Sequence, residues 1–302
     1  MKLLWLDLNS SYAHSSLALP ALHAQIADDT TIEWCIVSAT INENTGMVVS
    51  RIHKHRPDII AATNWLFNHE QLLHIISRAK ALLPHCCIVL GGPEFLGNNE
   101  AFLYKNKFVS GVFRGEGEEV FPQWLKVWNH SRETWKAITG LCYLDENGRY
   151  QDNGIARVMN FSQLVSPEKS CFFNWSKPFV QLETTRGCFN TCAFCVSGGE
   201  KPVRTIPLEA IRERLNDIHQ HGIKNVRVLD RTFNYNNKRA KELLDLFRQY
   251  PDICFHLEIH PALLSEELKQ ELSVLPKGLL HLEAGIQSLK ESVLQQSRRI
   301  GK

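Results

Sequence analysis

The sequence has no apolar run long enough to cross a membrane, no marked excess of either charge, no low-complexity tract and no second C-x2-C cysteine pair. The N-terminus reads MKLLWLDLNSS, and its apolar stretch breaks at Asp7, too early for a signal peptide or a spanning segment. A cytoplasmic location with no membrane partner is the expectation. The formal net charge is +2 over 302 residues, so no global field points to nucleic acid or to an acidic surface. With 44% hydrophobic and 22% charged residues, the chain has the balance of a folded globular protein and the length for two domains.

What is present is a rhythm. Short apolar runs at residues 2–8, 31–39, 58–63, 86–90 and 108–113 read as strands, with helix-period segments at 17–26, 47–55 and 70–83. This repetition predicts an α/β domain: a doubly wound parallel sheet of Rossmann-like type with helices on both faces. Ligands in such sheets sit beyond the carboxyl ends of the strands, where Gly91 and Gly92 follow the fourth run and Gly115 and Gly117 the fifth. Residues 138–160 read as a hairpin with an Asn-Gly turn, and 161–177 as a connector. The expected division is 1–137, a hairpin and linker at 138–177, and 178–302.

From residue 179 the alternation resumes, with strands predicted at 179–185, 225–229, 254–259 and 279–284 and helices at 208–221, 238–249 and 265–275 before a last helix. Ser265 is the expected N-cap of the third. Parity divides these strands. Gln181, Glu183 and Thr185 share one face, as do His256, Glu258 and His260, and again His281, Glu283, Gly285 and Gln287. A partial β/α barrel with a hydrated or ligand-filled lumen fits that pattern, and a half-exposed sheet is the alternative.

Six of the nine cysteines, Cys35, Cys86, Cys87, Cys142, Cys171 and Cys254, lie in apolar surroundings and read as small buried hydrophobes. The other three fall within residues 184–195, TTRGCFNTCAFC, spaced C-x3-C-x2-C at the end of a predicted strand. Structural zinc takes four protein ligands, commonly as paired C-x2-C, and no second pair exists. A cubane iron–sulfur cluster normally takes four thiolates, so Cys188, Cys192 and Cys195 would leave one iron open to a substrate. A zinc module and a purely structural loop remain the competing readings. Among the other polar residues, helix-borne histidines such as His23 read as solvated, Glu116 and Glu118 as caps of the next helix, and Asp230 as either an active-face ligand or a cap. His256, His260 and His281 are the histidines that parity places with Glu258 and Glu283. Trp124, Trp128 and Trp135 read as core.

The C-x3-C-x-aromatic-C loop, with Phe194 as its aromatic, resembles that of the radical S-adenosylmethionine (radical SAM) superfamily. The resemblance implies a [4Fe-4S] cluster on Cys188, Cys192 and Cys195, and an open iron chelated by the amino and carboxylate groups of S-adenosylmethionine. It also implies reductive cleavage of the sulfonium to a 5′-deoxyadenosyl radical, and a reductant such as a flavodoxin or ferredoxin. LDRTFN at 229–234 is similar to the superfamily's second-strand motif and HLEAGIQS at 281–288 to its fourth-strand motif. Gln287-Ser288, Leu294 and Arg299 follow the family pattern after that strand. On this resemblance Asp230, Glu283, Gln287 and Arg299 belong to the S-adenosylmethionine site, with Arg299 facing the methionine carboxylate and Phe194 beside the adenine. Gly198-Gly199-Glu200 spells the superfamily's glycine-glycine-glutamate motif, but many members carry it after the second strand, and its position here reads as coincidental.

The whole chain resembles a narrower group, radical SAM proteins with an N-terminal cobalamin (B12)-binding domain, through VLGGPEF at 89–95, FRGEGEEVF at 113–121 and LETTRGC at 182–188. The resemblance implies cobalamin near Gly91, Gly92, Gly115 and Glu116, with methyl transfer to an unknown substrate as one form of the reaction. The D-x-H-x-x-G sequence that supplies a lower cobalt ligand is absent, because Asp7 and His14 lack its spacing. The domain either holds cobalamin without that ligand or binds nothing. The superfamily's barrel has six strands and four are counted here, so a shortened chain is the expectation. A truncated, non-catalytic iron–sulfur protein is the alternative function.

Overall fold

Along β1 (Lys2–Asn9), Leu4, Leu6 and Leu8 pack into one core while Leu3 and Trp5 pack into another. Alternate side chains of a strand point to opposite faces, so a strand apolar at nearly every position must be covered on both. The computed structural model describes residues 1–14, 16–197 and 200–299. The chain divides into two units, Met1–Phe173 and Asn174–Lys302.

In the first unit β1 is followed by α1 (Ala18–Ala24), β2 (Glu33–Thr40), α2 (Thr45–His55), β3 (Ile59–Thr63), α3 (His69–Leu82), β4 (Cys87–Gly91), α4 (Glu100–Lys105), β5 (Gly111–Phe113) and α5 (Val120–Leu125). A hairpin of β6 (Leu141–Leu144) and β7 (Tyr150–Asp152) completes the unit's strands. The sheet order is β2-β1-β3-β4-β5-β6-β7, parallel from β2 to β5 and antiparallel thereafter. The strand order reverses between β1 and β3, the switch point of a doubly wound sheet. The core on one face takes Val48, Val49 and Ile52 of α2 with Leu72, Ile75 and Ile76 of α3. The other takes Leu19 of α1, Val120 and Trp124 of α5, and Trp135, with Trp128 packed against it.

Three features of this unit differ from the sequence reading. The hairpin set apart with the linker is the antiparallel edge of the first sheet, because β6 pairs with β5 through Val112 and Cys142. Residues 161–173 also belong to the unit: Ser170 Oγ meets His23 Nδ1 at 2.9 Å, and Phe172 packs edge-on against the His23 ring at 4.6 Å. His23 is therefore buried rather than solvated. Cys171 is exposed, while the other five scattered cysteines are buried or partly so.

The second unit runs β8 (Val180–Leu182), β9 (Thr185–Arg186), β10 (Arg204–Thr205), α6 (Leu208–Gln220), β11 (Asn225–Val228), α7 (Asn237–Phe247), β12 (Cys254–Ile259), α8 (Glu266–Ser273), β13 (Leu280–Ala284) and α9 (Glu291–Gln296). Four strands form a parallel sheet in the order β13-β12-β11-β8. Val180, Leu182, Val226, Val228, Phe255 and Leu257 make its buried face, with Phe247 of α7 stacked on Phe255 at 4.0 Å. Ser265 caps α8, its hydroxyl accepting the Leu268 amide at 3.1 Å. The strand predicted at 179–185 is broken, since β9 leaves the sheet to pair antiparallel with β10. Among the described residues no helix is long and apolar enough to cross a membrane.

Candidate active site

The cysteine loop is closed at its neck by groups that are not cysteines. Asp230, just beyond β11 and only 1% exposed, accepts the Thr184 amide at 2.7 Å, the Thr185 amide at 2.9 Å and the Thr184 hydroxyl. These bonds replace the sheet ladder where the chain turns off between β8 and β9. Burial pushes the Asp230 carboxyl above its ordinary range, against the lowering effect of those bonds. Two residues after β9 starts, Gly187 has φ +95°, and a Cβ there would lie 2.5 Å from the Glu200 carbonyl oxygen and 2.8 Å from that of Pro202. Glycine is the residue that fits such a crossing. The Cys188 amide then donates to Glu200 O at 2.9 Å, sealing the loop base.

Cys188 and Cys192 are buried and Cys195 is exposed. Burial is the main cause that raises the Cys188 pKa, and the neighbouring Cys195 and Cys192 push the same way. Among the described residues no three His, Cys, Asp or Glu side chains converge as the ligands of a single ion do. Thiolates that each take a different iron of a cluster need not converge so tightly. Three sulfur donors on one loop fit a cluster with one open iron, which would be held by Cys188, Cys192 and Cys195.

The chain after α9 docks on this loop. Ser297 O accepts the Ala193 amide at 2.9 Å, and Arg299 reaches both Gly285 O at 2.6 Å and Cys192 Sγ at 4.0 Å. Gln287 adopts φ +65° beside Gly285. Phe194 is 57% exposed, its ring open to a ligand. Gly198 and Gly199 lie outside the described residues.

The polar face of the second sheet gathers more charge than parity alone revealed. Register aligns Gln181, Arg227, His256 and His281 in one row, and Glu258 with Glu283 in the next but one. Arg227 lies 3.2 Å from Glu258 and 3.8 Å from Glu283, while His256 Nε2 meets Glu283 at 3.0 Å. The His256 and His281 rings stack at 4.6 Å. Arg227 was missed, although its place between the buried Val226 and Val228 in NVRVL was the signal for it. Glu183 of the same face pairs with Arg186 at 2.8 Å. His260 does not join the cluster; it is buried, its backbone held by Asn234 at 2.8 and 2.9 Å. Asp230 stands apart from it as well, bound into the loop neck.

In the first unit, the candidate glycines are held by the chain itself. Gly92 has φ +113°, and a Cβ there would lie 2.5 Å from the Asn64 carbonyl oxygen, whereas at Gly91 the nearest atom would be 3.9 Å away. Gly115 has φ +105° and crosses the Ala156 backbone. Glu116 accepts the Val158 amide at 2.7 Å, which ties the segment after β5 to the chain beyond the hairpin. At the switch point the buried Asn68 amide donates to Leu8 O and Thr63 O at 2.9 and 3.1 Å. Nearby, Tyr12, Leu66 and Phe67 are exposed.

Two family models match the chain: the B12 binding domain over residues 8–125 and the radical SAM superfamily over residues 182–302. An uncharacterised methyltransferase of Pyrococcus horikoshii is 29% identical over 201 residues, covering 64% of this chain and 43% of the relative. A hopanoid C-3 methylase of Methylococcus capsulatus is 27% identical over 180 residues, 56% of this chain and 34% of the relative. The chain thus spans less than half the length of these curated relatives. Among solved structures, the radical S-adenosylmethionine methyltransferase TsrM of Kitasatospora setae, with cobalamin and a [4Fe-4S] cluster bound, superposes with a TM-score of 0.77 at 16% identity. The match covers 99% of this chain and 64% of that one. The cobalamin-dependent radical enzyme OxsB, with aqua-cobalamin and S-adenosylmethionine bound, gives 0.76 at 17% identity over 98% of this chain and 45% of that one.

Proposed function

The chain joins a B12-binding domain to a domain of the radical SAM superfamily, and from that premise we propose that it cleaves S-adenosylmethionine reductively to start radical chemistry on an unidentified substrate, with cobalamin-dependent methyl transfer as the reaction. The cysteine loop carries this reading: three thiols on one sealed loop, with no second C-x2-C pair to close a four-ligand site. A [4Fe-4S] cluster there would supply an open iron to bind S-adenosylmethionine and the electron that breaks its sulfonium bond.

The protein's own part is positioning. Cys188, Cys192 and Cys195 would hold the cluster, and Asp230 fixes the strand end that presents them. Phe194 offers an exposed ring for the adenine, and Glu283 and Gln287 stand at the end of β13 as hydrogen-bonding groups for the rest of S-adenosylmethionine. Arg227, His256, Glu258 and His281 line the polar face and would orient polar groups of the substrate. In the first unit, the carboxyl ends of β1, β3 and β4 would receive cobalamin, with Gly91 and Gly92 in that rim and Gly115 and Glu116 after β5. The names of both relatives above, a methyltransferase and a methylase, support the transfer step. A flavodoxin or ferredoxin is the proposed electron donor, and the reducing cytoplasm the compartment that keeps the loop thiols free.

The test is anaerobic reconstitution with iron and sulfide, followed by S-adenosylmethionine and a strong reductant. 5′-Deoxyadenosine is expected from the wild type and none from Cys192→Ala. A fully assembled cluster that yields no 5′-deoxyadenosine would refute the reading. Cobalamin is tested separately: corrinoid colour should survive desalting after incubation with hydroxocobalamin, and its loss would remove cobalamin from the account.

A further inference from the structure

Arg299 was expected to face the methionine carboxylate, yet its guanidinium is engaged elsewhere. One arm donates to Gly285 O at 2.6 Å and the other points at Cys192 Sγ from 4.0 Å, at the limit for an N–H donor to sulfur. The backbone is shaped to place it there. After α9, Arg298 takes φ +55°, the left-handed position at which a helix end favours glycine. The Arg298 amide bonds Gln295 O at 3.0 Å and the Arg299 amide bonds Leu294 O at 2.9 Å, so the chain reverses and Arg299 turns back toward the cysteine loop. The preceding residue, Ser297, accepts the Ala193 amide at 2.9 Å, so the same turn also grips the residue next to Cys192. A left-handed non-glycine residue is a strained choice, and the turn it makes brings Arg299 to both Gly285 O and that sulfur.

We propose that Arg299 is a positioning residue for the Cys192 thiolate, tying it to the end of β13 and raising the reduction potential of the cluster bound there. The proposal rests on the cluster reading above. A cation and an N–H donor beside a ligating sulfur stabilise the reduced cluster, which carries the extra negative charge. The forked guanidinium can bridge a carbonyl and a sulfur at once, which a lysine ammonium on its flexible stem does less well.

The experiment is an EPR-monitored redox titration of reconstituted wild type, Arg299→Gln and Arg299→Lys. The reduction equilibrium of Arg299→Gln should weaken about tenfold, a midpoint more negative by ~59 mV for one electron. Arg299→Lys should fall between Arg299→Gln and wild type. Midpoints equal to wild type in both variants would overturn the proposal while leaving the cluster reading intact. If Arg299→Gln retains no iron, Arg299→Lys decides: a negative shift supports the role and an unchanged midpoint overturns it. A wild type that assembles no cluster would remove the reading beneath the proposal, and the proposal with it.

Discussion

At Gly187 a methyl group would meet the Glu200 carbonyl oxygen at 2.5 Å, on a backbone with φ +95°. Gly187→Ala should therefore strain the loop neck by about 1–3 kcal/mol or open it. Iron retained per chain after reconstitution is expected to drop although every thiol remains, and full retention would contradict the closed neck. Asp230 holds the strand end before that neck through Thr184 and Thr185. Asp230→Ala leaves the Thr184 and Thr185 amides without their acceptor, at a cost of about 1–3 kcal/mol for each buried group. The expected result is faster amide exchange at Thr184 and Thr185 with little change along β12; unchanged protection would refute the carboxylate's role. The cysteines were legible in sequence because their spacing is local. The partner of Asp230 was not, because 46 residues separate it from Thr184 and nothing in either segment announces the other.

Among the elements, α1 is held by its cover. His23 lies under Ser170 and Phe172, and burial lowers its pKa below the ordinary 6.5. The unfolded chain then takes up a proton before the folded one does, so the stability that neutral His23 provides is present above pH 6.5 and is lost as pH falls below it. The stability difference between wild type and His23→Gln should narrow between about pH 7 and pH 5. A constant difference across that range would show that His23 does not titrate with folding. Most strands were readable because apolar runs bounded by turns have few alternatives. The strand at 179–185 was misread because a buried carboxylate takes the place of the ladder at Thr184, and alternation carries no mark of that substitution. The linker at 138–177 was misread for a related reason. The hairpin within it was recognised, but only its pairing with β5, through Gly111 with Tyr143 and Val112 with Cys142, places it in the first sheet.

For the molecule as a whole, each unit places its candidate site at the carboxyl ends of parallel strands. Gly92→Ala should destabilise the first unit by about 1–3 kcal/mol, because its Cβ would strike the Asn64 carbonyl, and should weaken corrinoid retention. Gly91→Ala, with its nearest neighbour 3.9 Å away, should do much less. Equal effects in denaturant titrations would deny that the Gly92 crossing shapes the rim. The β-α rhythm made both folds readable from the chain, whereas the polar cluster around Arg227 needed register across three strands to appear. The central claim is that three thiolates leave one iron free for S-adenosylmethionine. It is tested most directly by EPR of the reduced, reconstituted protein before and after that ligand is added. A changed cluster spectrum, with hyperfine coupling to labelled amino nitrogen of the ligand, is the predicted result. A fully assembled cluster whose spectrum the ligand leaves untouched would contradict it.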